Sequence, residues 1–194
     1  MLFRQPEKIY SIDFTKEFYM LDLEEICLLI IEDGNEVPQH WLNHWAYGYP
    51  VHLRVTTPQD RQPEKNITAI DNTVQNIVGN FFVVAHGNAC HAFLHWLFNK
   101  DIQMHRRLLG VILANPNKMA WSNDERLPEN RIVMPCKTAI VNASGDNADL
   151  IAWSKKQAHK IHAKHLISPN TPNLNATIGG WQWGMRLMQD ILLA

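Results

Sequence analysis

Apolar residues run in short blocks along this chain, and most blocks are followed by a helical pattern. Ile26-Cys-Leu-Leu-Ile-Ile31 is a continuous apolar run of strand length, as expected for a parallel strand buried on both faces. The turn signal Glu32-Asp-Gly-Asn35 follows, and then a helix opening at Pro38 with Trp41 and Trp45 four apart. Pro50 to Thr56 alternates and predicts a second strand. Asn66 is placed to cap a helix through Ile67, Ile70, Val74 and Ile77. Phe81 to Val84 predicts a strand, Ala89 to Phe98 a helix, and Leu108 to Ala114 another buried strand. Residues 117–134 are polar and read as an irregular excursion. Strand 138–143, a helix over about 149–160, a short strand 164–167 and a terminal helix from about Trp181 to Leu193 complete the pattern. Strands and helices alternating at this spacing predict βαβ units, a parallel sheet and right-handed crossovers in one α/β domain.

Ahead of that pattern, Tyr10, Phe14, Phe18 and Leu21 recur at helical spacing, with Asp13 as a candidate N-cap. Residues 1–24 are therefore expected to form an extension that covers an edge of the core, with a dimerising or partner-binding arm as the alternative. The domain proper is expected over 25–194.

Bulk composition changes this picture little. A length of 194 residues suits about one domain, and 46% hydrophobic with 19% charged residues fits a globular rather than a disordered chain. A net charge of −1 supplies no field that would draw nucleic acid or an anionic membrane. The N-terminus lacks the apolar core of a signal peptide, and no apolar run approaches the ~20 residues of a spanning helix. Cys27, Cys90 and Cys136 are odd in number and widely spaced, and are expected as reduced, buried thiols. A cytoplasmic location is the expectation.

The candidate chemistry centres on Asn80 to Phe98, where an apolar strand meets small residues and then a helix. That is the layout of a nucleophile elbow, the sharp turn that holds the attacking serine of α/β-hydrolases in a G-x-S-x-G motif. Here the five positions read Ala85-His86-Gly87-Asn88-Ala89, and the central one has no side chain with which to attack.

Further segments fall in order around it: His40-Trp-Leu-Asn-His-Trp45, Asn115-Pro116, Ala143-Ser-Gly-Asp-Asn147 and Thr177-Ile-Gly-Gly-Trp181. Together they resemble the small serine hydrolases that include the vertebrate retinoblastoma-binding serine hydrolase and many short bacterial proteins. The resemblance runs from about Ile26 to the C-terminus. It implies a three-layer α/β/α sandwich with a mostly parallel sheet, a compact α/β-hydrolase fold without a large cap domain.

The same resemblance places the family's serine at Gly87, its acid at Asp146 and its histidine at Thr171, ten residues before Trp181. The Pro-Gly that supplies part of the family's oxyanion hole falls on Ile31-Glu32, with Asp33 next. Acyl transfer needs a nucleophile, a base within hydrogen-bond reach and N–H donors aimed at the oxyanion. Gly87 and Thr171 remove the first two, and carboxylates at Glu32 and Asp33 would repel an oxyanion if they pointed toward it. The backbone N–H of Asn88 is left as half an oxyanion hole. The expectation is a non-catalytic relative that binds a small ligand or a protein in a cleft bounded by His86, Asn88, Glu32, Asp33 and Trp121. The alternative is a working hydrolase using Cys90, Ser144, Ser122 or a water near His86.

Other groupings have plainer readings. His91 and His95 have the spacing of a metal-binding pair, but Ala92 stands where a general-base glutamate belongs. No metal and no cofactor is expected. His159, His162 and His165 recur among lysines, which reads as a solvated cationic face, with an anion- or partner-binding patch as the alternative. Asp146 also suits an Asx-type loop contact.

Overall fold

Both faces of the central sheet are apolar because the strands carry unbroken apolar runs, so helices must cover each side. The computed structural model describes residues 25–34, 40–58, 63–118, 133–169 and 181–194. Among them the order is β1 (Ile26–Asp33), α1 (His40–Gly48), β2 (His52–Thr57), α2 (Pro63–Val74), β3 (Asn80–His86), α3 (Ala89–Phe98), α4 (Ile102–Arg107), β4 (Leu108–Ala114), β5 (Lys137–Ala143), α5 (Ala148–Lys160), β6 (Lys164–Ser168) and α6 (Gln182–Leu193). The strands form one sheet in the order β2-β1-β3-β4-β5-β6. Every pairing is parallel.

Alternate residues of each strand feed opposite cores. Cys27, Leu29 and Ile31 pack with Ile70, Val74, Phe93, Trp96 and Ala158 of α2, α3 and α5. Ile26, Leu28 and Ile30 pack with Trp41, Leu42 and Trp45 of α1 and Met188 of α6. This is the three-layer α/β/α sandwich. No described helix is long and apolar enough to cross a membrane.

The sequence pattern and the structure differ at four places. Helix α2 runs from Pro63 to Val74, so Asn66 lies inside the first turn and does not cap it, and Ile77 lies beyond the helix end in the following turn. Proline is pre-organised for the first helical position, where its missing N–H costs nothing. The polar stretch before β4 holds the six-residue helix α4, whose cap Asp101 accepts the Met104 N–H at 2.9 Å. Its basic last turn (His105, Arg106, Arg107) complements the dipole. Cys136 is half-buried rather than buried, although all three cysteines are free. Finally, the three regularly spaced histidines share no face. His159 is exposed on α5, and His162 is the left-handed residue (φ 57°) closing that helix. The Ala163 N–H bonds Ala158 O at 2.8 Å and the His162 N–H bonds His159 O at 3.4 Å, a Schellman cap. His165 lies on β6 and turns inward.

Gly110 lets helix α6 sit close to the sheet, and Gly184 makes room for the Trp181 ring at the start of the same helix. A Cβ on Gly110 would come within 2.5 Å of Ile191 and Phe82, and one on Gly184 would overlap the Trp181 ring. Gly184→Ala gains up to about 1 kcal/mol of helix propensity. Overpacking against a fixed indole costs about 1–3 kcal/mol, so net destabilisation is expected in urea melts. A more stable variant would contradict this packing.

Candidate functional site

In an open parallel sheet the ligand crevice lies beyond the carboxyl ends of the strands, where neighbouring connections leave in opposite directions. Here β1 connects toward β2 and β3 toward β4, so the crevice lies between the ends of β1 and β3. Asp33 and Gly34 line one side of it, and His86, Gly87 and Asn88 the other.

The turn at Gly87 is the sharp one the sequence predicts. Gly87 has φ 61°, a left-handed conformation that costs glycine nothing. Its N–H donates to Ala114 O at 3.1 Å, and its carbonyl accepts the N–H groups of Cys90 and Asn117, both at 3.3 Å. The elbow is thus bonded to the end of β4 and the loop beyond.

Asn88 occupies the N-cap of α3, yet its side chain makes no capping bond. Its Nδ2 donates instead to Asp33 Oδ2 across the crevice. Asn88 Oδ1 is buried with no hydrogen-bond partner. The Asp33 carboxylate is therefore turned to the helix start and joined to an amide, bridging the two sides of the switch point. Glu32 points to the other face, where Arg54 Nε donates to its Oε1 at 2.6 Å and Arg54 Nη1 donates to Asn43 Oδ1 at 2.6 Å. Adjacent strand residues face opposite ways, so the two carboxylates cannot act on one point. His86 is buried on the α1 side, edge-on to Trp41 with centroids 6.1 Å apart.

Asp146 stands two strands away, in the loop after β5. Its Oδ2 accepts from Asn142 Nδ2 at 2.9 Å and from the Ala143 N–H at 3.0 Å, so it bonds backward to the end of β5 rather than forward in an Asx-type turn. Beyond lies a group that the sequence reading missed: His165 Nε2 bonds Asn142 Oδ1 at 3.0 Å, giving a chain His165–Asn142–Asp146. The available signal was an asparagine inside the apolar run 138–143. Asn142 is fully buried, and buried amides are bonded. Burial pushes the His165 pKa down from 6.5, and Lys155 pushes it the same way. The folded state therefore resists protonation, so stability is present above the unfolded value and lost as pH falls below it. His165→Gln is expected to flatten the decline in unfolding free energy between about pH 7 and pH 5. Parallel pH profiles for the two proteins would exclude this role.

The replacement nucleophiles are poorly placed. The Cys90 thiol is fully buried beneath the turn and donates to Ala85 O at 3.3 Å. Cys136, never a candidate, is likewise unreactive, because burial pushes its thiol up to about 11 and it stays protonated. Ser144 Oγ donates to Pro169 O at 3.3 Å. His91 and His95 stack with centroids 6.4 Å apart, and no group of three metal-ligating side chains occurs among the described residues. Thr171, Trp121, Ser122 and the extension 1–24 lie outside the described residues.

A family model described as "Serine hydrolase" matches residues 28–190. The chain belongs to that serine hydrolase family. Solved structures agree on the fold. A YdeN-like hydrolase from Pectobacterium atrosepticum superposes with TM-score 0.68 at 15% identity, covering 88% of this chain and 93% of that one. The ydeN gene product of B. subtilis gives 0.63 at 16% identity, over 87% and 100%. Est1E from Butyrivibrio proteoclasticus gives 0.55 at 11%, over 88% and 90%. Identities this low speak for the α/β-hydrolase architecture alone. None of the curated proteins matches. In this chain the tip of the turn between β3 and α3 is a glycine.

Proposed function

We propose that this serine-hydrolase family member is non-catalytic and acts by binding a ligand or partner at the carboxyl end of its sheet. One observation carries the reading: the turn that presents a nucleophile in the G-x-S-x-G motif holds Gly87, a residue without a side chain. The surroundings support it. The neighbouring Asn88 amide is engaged by Asp33, and Asp146 is engaged by its own strand. By the family resemblance the base position is Thr171, whose hydroxyl does not exchange protons near neutral pH. Loss of nucleophile or base costs on the order of 10⁶ in kcat in the best-studied triad, with little further loss from removing both. Residues 25–194 carry this binding unit and residues 1–24 an extension, in a cytoplasmic protein.

Turnover of p-nitrophenyl acetate tests the proposal. The native protein and Asp146→Asn are expected to give the same rate, without saturation. Saturable turnover that disappears in Asp146→Asn would establish a working hydrolase.

A further inference from the structure

Beside the Gly87 turn lies a second concavity, between the loop after β4 and the first turn of α5. Its volume is about 450 Å³, in the lower half of the ~300–1,000 Å³ range of small-molecule sites. Such sites are ordinarily lined mostly by apolar side chains. Asn115, Asn117, Lys118, Asn147, Asp149 and Leu150 line this one, so amides and charges dominate. One lining residue is tied to the elbow, since the Asn117 N–H bonds Gly87 O at 3.3 Å.

The charges are the informative feature. Lys118 and Asp149 are both exposed and form no ion pair with each other, so an ammonium and a carboxylate stand separately in one cavity. Asn147 Oδ1 is occupied by the Leu150 N–H at 2.7 Å, which leaves its Nδ2 as the donor end. Asn115 closes β4 in a left-handed conformation (φ 48°), which asparagine tolerates better than most residues. An acyl chain would find only Leu150 and one proline to bury against. A small zwitterion would meet a partner for each of its charges, with amides around them.

We infer that this cavity binds a small zwitterion of the α-amino acid type, its carboxylate toward Lys118 and its ammonium toward Asp149. The inference rests on the reading of this end of the sheet as a binding site and names the class of ligand. L-Alanine, sodium acetate and methylammonium chloride, titrated into the full chain and followed by amide NMR, test it. L-Alanine is expected to move the Asn117, Lys118 and Leu150 signals with millimolar affinity, about tenfold or more tighter than either single-charge compound. Lys118→Gln and Asp149→Asn are each expected to weaken L-alanine about tenfold, while Lys118→Gln leaves methylammonium unchanged and Asp149→Asn leaves acetate unchanged. Both side chains are exposed, so neither variant endangers the fold. Acetate binding as well as L-alanine, variants without effect, or no shift at about 50 mM L-alanine would each overturn the inference. Covalent labelling by an esterase probe would instead end the non-catalytic reading and leave this binding pattern standing.

Discussion

Trp45→Ala is expected to remove about 3–5 kcal/mol of stability, a large share of the 5–15 kcal/mol typical of a domain. Trp45 is 1% exposed, stacks on Trp181 (centroids 5.8 Å, planes 18° apart) and meets Trp41 edge-on at 5.2 Å. The truncation would open a void where α1, α6 and the sheet converge. Trp45→Phe should be far milder, at less than about 1.5 kcal/mol. The Trp45 Nε1 is buried without a hydrogen-bond partner, a condition that itself costs about 1–3 kcal/mol, and phenylalanine removes that donor while keeping most of the ring. Urea midpoints of the three proteins check this; a loss below about 1 kcal/mol for the alanine variant would show that the cluster is not a packing centre.

Asn88→Asp should cost about 2–4 kcal/mol at neutral pH through a carboxylate pair across the crevice. The substitution is nearly isosteric, so packing hardly changes. It replaces the amide that donates to Asp33 with a second carboxylate and leaves two negative charges in contact. An aspartate at a helix N-cap is favourable by only about 1 kcal/mol, which does not offset the repulsion. One carboxyl should therefore take up a proton well above its usual range, and stability should recover as pH falls toward about 4–5. A variant as stable as the native protein at pH 7 would show that the two side chains do not meet.

Much of this was legible in the chain. Helix 89–98 and strand 108–114 have the bounds their apolar periodicity implies, because small residues and Asn-Pro punctuate them sharply. The Gly87 turn was also readable, since strand, small residues and helix follow without a gap. Local pattern failed where a side chain serves a distant partner. Nothing near Asn88 announces that its amide crosses to Asp33, 55 residues earlier, instead of capping its own helix. His165 looked like one of a cationic series because spacing cannot reveal that His162 ends a helix and the chain then turns into a strand. The direction of Glu32 followed only once the register of β1 against β2 put it opposite Thr56, two residues along β2 from Arg54 and so on the same face.

The most direct measurement is the intact mass of the purified protein after exposure to a fluorophosphonate, which captures activated serine nucleophiles covalently. With only hydrogen at the tip of the Gly87 turn, the mass should stay that of the unmodified chain. A single phosphonate adduct would show a working nucleophile and contradict the account.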